Sequence, residues 1–490
     1  MAVHVDMNSL EETFVIRYSE IGLKGPKARR KMESKLRRNI IEMASRLGQN
    51  PEVTIGNGRL FLRGHTERDA IVATLSHTMG VKSFSLALHM KSANLPEIVE
   101  VAEAIFSPTV AGKKFAVRSR HAGGHSFDSR DVNSAVGDRL FKYSSGVDLD
   151  HPEVAVEIEV RNDQTYFILD NYKGPGGLPI GTEGRLTALV SGGIDSPVAA
   201  WMMLKRGCPV DFVFVTISHP FDTIEFLNSV EPLIRGWIAG YSPRINIVDG
   251  KPIVDALLLR GKVAYPNVTY KRILYLVAQE IAFQTGSNGI VTGESIGQVS
   301  SQTPENLRAI ESGIDLPVFR PLIGFDKDDI THRSREIGTF PRESLGEFCE
   351  LFATNIVLNA TSDLIDRDME NIHFLNDLVA QRVVISATDV ADFRNDLLRA
   401  VASGHNADKG EVVVVDLRKK ESYEEWHHPG AVNVTLPNLI SFLEGVDKNK
   451  TLMFYCQKGL QSSYAASVAR KKGFNAIFTT TERLRNTIPQ

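Results

Sequence analysis

Leu186-Thr187-Ala188-Leu189-Val190-Ser191-Gly192-Gly193-Ile194-Asp195-Ser196-Pro197 is the stretch on which the reading of this chain turns. Its first five residues are mostly apolar and predict a buried strand. Ser191 to Ile194 predict a tight turn, and Ser196-Pro197 a helix start, with Ser as N-cap and Pro at the first helical position. Val198, Trp201 and Met202 continue the helix at helical spacing, and Gly207 ends it. Strand, glycine turn and helix N-terminus together suit a phosphate. The glycines let backbone N–H groups approach an anion closely, and the helix end adds partial positive charge. The Lys of G-x-x-x-x-G-K-S/T is missing here, and that motif occurs nowhere in the chain, so a kinase-type loop is excluded.

Downstream, strands and helices alternate: Val210 to Thr216, a helix from Thr223 to Ile238, Arg244 to Val248, and helical patterns through Phe283. Such alternation predicts a parallel doubly wound sheet with its ligand at the carboxyl ends of the strands. S-G-G-x-D-S after an apolar strand resembles the PP-loop of N-type ATP pyrophosphatases, which split ATP between its α and β phosphates. On its own it is also what a glycine turn between a core strand and a core helix looks like. In the functional reading the amides of Ser191, Gly192, Gly193 and Ile194 hold pyrophosphate. Ser191 and Ser196 add hydroxyl donors, and Asp195 helps position Mg²⁺ on the leaving group.

At 490 residues the chain is too long for one core, and two to four domains are expected. With 42% hydrophobic and 23% charged residues it has an ordinary soluble composition, and no apolar run approaches the ~20 residues of a membrane span. Asp6, Glu11 and Glu12 near the start argue against a secretory signal. Cys208, Cys349 and Cys456 are too few and too scattered for a disulfide scaffold or a zinc site, which points to a reducing cytoplasm and no metal cluster. A net charge of −3 leaves nucleic-acid binding to local patches.

One such patch follows a strand at 13–18. Lys24, Lys27, Arg29, Arg30, Lys31, Lys35, Arg37 and Arg38 face Glu33 alone, with Met32, Leu36, Ile40, Met43 and Leu47 at helical steps: a helix with one apolar and one very basic face. Glu52 to Leu62 reads as strand, turn, strand. A helix from Thr66 to Thr78 follows, then a second basic segment, Phe115-Ala116-Val117-Arg118-Ser119-Arg120-His121-Ala122-Gly123-Gly124-His125-Ser126-Phe127, with Arg130 behind it. Either patch is also an ordinary solvated face, and lone histidines are usually structural. Yet the arginines and glycines suit an RNA backbone. F-x-V-R-x-R…G-x-H-x-F-x-S, then Val136-Gly137, resembles the THUMP domain of RNA-modifying enzymes. That resemblance implies tRNA contacts by Lys24, Lys27, Arg29, Arg30, Arg118 and Arg120.

After the linker Lys173 to Pro179, three segments lie where an ATP pocket needs them. Tyr270-Lys271-Arg272 heads a helix. Thr292-Gly293-Glu294…Gly297-Gln298-Val299-Ser300-Ser301-Gln302-Thr303 is a hydroxyl-rich loop, and Arg320 to Lys327 is a turn ending in a cation. Each alone fits an ordinary loop. As a set they resemble the tRNA 4-thiouridine synthetase family (tRNA uridine sulfurtransferase, ThiI). The family implies that Leu189 and Val190 pack around ATP with Lys271, Gly293 and Gln302, with Lys327 nearby. The family also has a cysteine where Leu345-Gly346-Glu347-Phe348-Cys349 stands, with Gly346 and Phe348 here in place of Pro and Tyr. Cys208, between Gly207 and Pro209, reads as structural.

A polar helical region from 355 to 400 and a second linker, Ser403 to Gly410, lead to a last domain. Glu411 to Arg418 is a buried parallel-type strand, and Leu452 to Cys456 a strand ending on a cysteine. Gln457 to Ser462 is a loop, and Ser463 to Lys471 a helix. A cysteine there sits in a cradle of N–H groups that stabilises a thiolate or persulfide. Asp-x-Arg, Pro-Gly-Ala and Cys-x-x-Gly-x-x-Ser in this order resemble a rhodanese domain, with Gln461 where free-standing rhodaneses often carry Arg or Thr.

The expected architecture is therefore multidomain α/β. It comprises a ferredoxin-like N-terminal unit (1–65), a THUMP domain (66–171), a linker (172–179), a PP-loop ATP pyrophosphatase domain with a parallel sheet (180–375), a helical connector (376–403) and a rhodanese domain (404–490). The resemblance implies an ATP- and Mg²⁺-dependent sulfurtransferase that adenylates O4 of a tRNA uridine and replaces it with sulfur. Cys456 carries the sulfur as a persulfide from a cysteine desulfurase. Cys349 resolves it through a Cys349–Cys456 disulfide, unless the persulfide attacks directly. Sulfur donation to a ThiS-type carrier in thiamine biosynthesis and a non-catalytic tRNA-binding protein are the alternatives. Homodimerisation is left open.

Overall fold

The computed structural model describes residues 7–56, 58–217, 220–258, 263–341, 358–370, 372–403, 412–457 and 460–487. The chain divides into two compact units, Met1–Thr182 with Lys205–Gly207, and Glu183–Leu204 with Cys208–Gln490. Among the described residues, no helix is long and apolar enough to cross a membrane.

The first unit is one eight-stranded sheet with four helices. Its elements are β1 (Glu11–Arg17), α1 (Pro26–Arg46), β2 (Glu52–Gly56), β3 (Arg59–Arg63), α2 (Arg68–His77), β4 (Ser83–Met90), α3 (Leu95–Val110), β5 (Lys114–Ala122), α4 (Ser129–Phe141), β6 (Gly146–Val147), β7 (Val154–Arg161) and β8 (Gln164–Lys173). The strand order is β2-β3-β1-β4-β8-β7-β5-β6. β4 pairs antiparallel with both β1 and β8, so the sheet runs unbroken across position 65. α1 forms as its spacing predicts. Leu36, Ile40 and Ala44 are buried with Ile71 and Leu75 of α2 in one core, while Lys27, Arg30, Lys31, Arg37 and Arg38 are exposed and Arg29 and Lys35 half-buried. A second core joins α3 and α4 to β5 and β7. Asp128 and Asp131 form a capping box that fixes where α4 begins.

The second unit holds two further sheets. The larger is built from β9 (Leu186–Leu189), α5 (Asp195–Lys205), β10 (Val210–Thr216), α6 (Phe221–Gly236), β11 (Arg244–Asp249), α7 (Lys251–Leu258), α8 (Pro266–Thr285), β12 (Ile290–Val291), α9 (Pro304–Glu311), β13 (Val318–Phe319), α10 (Lys327–Glu336), α11 (Ser362–Met369), α12 (Leu375–Ala380), β14 (Val383–Ser386) and α13 (Val390–Ser403). Its order is β13-β12-β9-β10-β11-β14, parallel except for β14. β10 is buried along its whole length, which is why it is nearly all apolar. Its one acid, Asp211, is matched by Arg185 at 2.7 Å and by the Arg244 amide at 3.0 Å. The helical connector expected at 376–403 is not all helix. Val383-Val384-Ile385 is a β-branched run, and it adds β14 antiparallel to β11 as the sheet edge.

The smaller sheet, β16-β15-β17-β18, is parallel throughout. It comprises β15 (Val412–Asp416), α14 (Lys420–Glu425), β16 (Val432–Asn433), α15 (Leu439–Glu444), β17 (Thr451–Cys456), α16 (Leu460–Lys471), β18 (Asn475–Thr480) and α17 (Thr481–Thr487). α16 starts at Leu460, three residues before the predicted Ser463, and this places Ser462 in its first turn.

Candidate functional site

The loop after β9 is locked by its own serines. Ser196 Oγ accepts from the Ser191 amide at 2.9 Å and lies 3.2 Å from Ser191 Oγ, which accepts from the Gly193 amide at 3.3 Å. Ser196 is therefore not the N-cap. α5 begins at Asp195, two residues before the predicted first helical residue Pro197, and the Ser196 hydroxyl bonds back into the loop instead of capping. Leu189 ends β9 half-buried, and Val190 is buried and donates its amide to the Val213 carbonyl at 2.9 Å. The loop thus hangs from the central strand pair.

Two side segments close on it. Gly293 lies against the start of α5, where an added Cβ would come within 2.5 Å of the Ser196 nitrogen and 2.6 Å of its Cα. Lys327, the first residue of α10, donates from Nζ to Asp195 Oδ1 at 2.7 Å. α10 is held in place by Asp326, which accepts from the Asp329 amide at 2.8 Å. Gln302 sits on a short 3-10 turn, Ser300–Gln302, with its side chain buried and its Oε1 without a hydrogen-bond partner among the described residues. A buried acceptor of this kind is open to a donor.

Lys271, in the second turn of α8, has its ammonium 3.4 Å from Glu294 Oε1. Glu294, 6% exposed, is the centre of a cluster whose members the sequence pattern does not connect. It accepts from Arg320 Nε at 2.9 Å and Thr292 Oγ1 at 3.1 Å, and from the Tyr275 hydroxyl. Burial raises the Glu294 carboxyl, but Lys271 and Arg320 outweigh it and hold the group below the usual carboxylate range. The Tyr275 phenol is pushed well up by burial and by the Glu294 charge. The available signal was that Glu294 is the lone acid between a buried strand and a neutral loop.

Cys456 ends β17, 3% exposed. The Ser462 amide donates to Sγ at 3.4 Å, and Ser462 Oγ lies 3.5 Å away while donating to the Thr479 carbonyl at 2.9 Å. The sulfur therefore meets the N-terminal turn of α16. Beneath it, Asp416 pairs with Arg418 through contacts of 2.6 to 3.2 Å, and burial pushes the Tyr455 phenol up to about 12. Cys208 is buried, and Cys349 lies outside the described residues.

In the first unit, Lys24, Lys27, Arg30, Arg118 and Arg120 are exposed. Arg118 and Arg120 share one face of β5. Arg29 is half-buried instead, 3.7 Å from the buried Glu33, whose carboxylate also accepts from Tyr18. His121 and His125 touch at 2.7 Å beside Phe127. Among the described residues there is no group of three or more His, Cys, Asp or Glu suited to a metal ion.

Four family profiles match the chain: "Thiamine biosynthesis protein (ThiI)" over 181–374, "ThiI ferredoxin-like domain" over 13–85, "THUMP domain" over 92–170 and "Rhodanese-like domain" over 403–481. A tRNA sulfurtransferase of Thermoplasma acidophilum is 40% identical over 477 residues, covering 97% of this chain and 96% of that protein. One from Pyrobaculum aerophilum is 36% identical over 485 residues, 98% of each. Among solved structures, a 4-thiouridine synthetase in complex with RNA and bound ATP is similar at 30% identity with a TM-score of 0.67, covering 77% of this chain and 99% of that one. With relatives matched at this identity from end to end, the chain belongs to the tRNA sulfurtransferase family.

Proposed function

We propose that the chain is an ATP-dependent tRNA sulfurtransferase that converts a tRNA uridine, by family likeness uridine-8, into 4-thiouridine. The observation that carries the reading is the pairing, in one chain, of a serine-locked anion loop at 191–196 with a sulfur held against a helix N-terminus at Cys456. The full-length relatives named for this activity support it.

In this reading the exposed cations of α1 and β5 receive tRNA. O4 of the uridine attacks the α-phosphate of ATP, and pyrophosphate leaves against the amides of Ser191, Gly192, Gly193 and Ile194 and the hydroxyls of Ser191 and Ser196. The orphaned Oε1 of Gln302 suits a nucleotide donor, and the Gly293 backbone leaves room only for a glycine beside the loop. Lys327 supplies positive charge beside Asp195. Mg²⁺, where bound, would be held by Asp195 and the phosphates, neutralising the leaving group. Adenylation makes the oxygen expellable as AMP. A cysteine desulfurase loads Cys456 as a persulfide. Cys349 then attacks Cys456 Sγ, releasing sulfide to C4 and leaving a Cys349–Cys456 disulfide for a reductant.

Purified chain, unmodified tRNA, ATP, Mg²⁺, cysteine and a desulfurase test this together. Pyrophosphate release and 4-thiouridine by nucleoside mass spectrometry are expected. tRNA binding without any pyrophosphate would sink the enzymatic reading.

A further inference from the structure

The rhodanese-like segment is not separate from the ATPase segment. The Tyr464 hydroxyl on α16 donates to Asp255 Oδ1 on α7, 209 positions away in sequence. Tyr464 is 1% exposed, and it lies in one apolar cluster that includes Ile253, Val254 and Leu257 of α7 and Ala465, Ala466 and Ala469 of α16. α7 directly follows the carboxyl end of β11. β11, β10 and β9 are parallel, so that end lies on the same edge of the sheet as the loop at 191–196. Asp255 is four residues into α7, about 6 Å along the helix from that edge. On the other side, α16 is the helix whose first turn holds Cys456 Sγ.

The contact combines one polar pair with an apolar cluster. Lys251, in the first turn of α7, has Arg470 and Lys471 of α16 among its electrostatic neighbours, against Asp249 and Asp222 of its own segment. Like charges therefore face each other across the junction, beside the apolar contact and the part-buried Tyr464–Asp255 hydrogen bond. Such a balance suits a domain that must dock to deliver and release to reload.

We propose that Tyr464 and Asp255 are positioning residues that dock the sulfur-carrying domain on the nucleotide edge of the ATPase sheet. This rests on the function proposed above.

The test uses the full chain with Tyr464→Phe, Asp255→Asn and the double variant. Three rates are measured: pyrophosphate release with tRNA, thiolation from inorganic sulfide, and thiolation from cysteine plus desulfurase. A hydrogen bond to a carboxylate is expected to be worth about tenfold or more in docked population. We expect kcat for persulfide-fed thiolation to fall about tenfold in each variant and no further in the double variant. The KM for the desulfurase, pyrophosphate release and sulfide-fed thiolation should stay unchanged. An unchanged or faster persulfide-fed rate, additive losses, or equal losses in all three rates would overturn the proposal. Hydrogen exchange at 251–258 is read in parallel and needs no activity. Faster exchange there in Tyr464→Phe supports docking, and unchanged exchange refutes it. Should wild type neither release pyrophosphate nor thiolate, the functional reading fails while the exchange result still judges the docking.

Discussion

Gly293→Ala offers the sharpest probe of the loop. The added Cβ would sit 2.5 Å from the Ser196 nitrogen, 2.6 Å from its Cα and 2.8 Å from the Asp195 carbonyl carbon. Ordinary contact starts at 3.4 Å, so the two segments must part by about 0.9 Å, and every atom met is backbone that cannot rotate away. Overpacking of this kind costs about 1–3 kcal/mol, which a core of this size survives. The larger effect is on geometry. The atoms displaced are the first turn of α5 and the hydroxyl that locks Ser191. A misplacement near 1 Å in a reacting site costs about a hundredfold in rate. Pyrophosphate release with saturating tRNA and ATP is the assay, with circular dichroism to show that the fold persists. Gly324→Ala is the control, since a Cβ there meets nothing within 4 Å. A Gly293→Ala rate within about twofold of wild type, or an equal loss in Gly324→Ala, would refute the steric argument.

Lys327→Ala removes the partner of Asp195 at a half-exposed pair, so thermal stability should change by no more than about 1 kcal/mol while pyrophosphate release falls at least tenfold. Glu294→Gln leaves Lys271 and Arg320 without their shared carboxylate and should cost about 3–5 kcal/mol in denaturant titration. The Glu294 carboxyl is held below its unfolded value, so its stabilisation is complete above that value and disappears as pH falls through the lower, folded one. The melting-temperature gap between wild type and Glu294→Gln should accordingly be widest near neutral pH and narrow only as pH falls below the ordinary carboxylate range. Cys456→Ser should keep pyrophosphate release and lose thiolation fed by the desulfurase; normal thiolation from that source would remove Cys456 from the carrier role.

Legibility in the sequence follows from how local each feature is. β9, its loop and α5 are readable because a strand buried on both faces is a continuous apolar run and the turn is marked by two glycines. β17 and Cys456 are readable for the same reason. β14 is not, because four residues between two polar helices carry too little pattern, and only pairing with β11 makes them a strand. The role of β4 in joining β1 to β8 is not legible, since antiparallel partners more than 60 positions apart leave no periodic mark. α5 starts two residues before the expected Pro197, because Ser-Pro has the local chemistry of a cap. What the Ser196 hydroxyl does is decided by the loop folding back on it. The Glu294 cluster gathers residues from 271 to 320 and exists only in three dimensions.

Both candidate centres use one physical device: a parallel strand ends, a short loop turns, and a helix N-terminus faces the gap. They differ in the charge placed there. At the loop after β9 an acid, Asp195, opens the helix and is answered by Lys327 brought in from α10. That arrangement leaves the carboxylate and the ammonium paired at the start of the helix. At the loop after β17 no acid lies between Gln457 and Ser462, and the group facing the helix is the sulfur itself. Among the described residues, the Ser462 amide of that helix end donates to Cys456 Sγ, a geometry that favours a thiolate or persulfide. The same backbone geometry thus faces a paired carboxylate in one sheet and a cysteine sulfur in the other. In the proposed reaction, which trades an oxygen for a sulfur through a phosphate ester, the first would receive an incoming anion and the second hold a resident one.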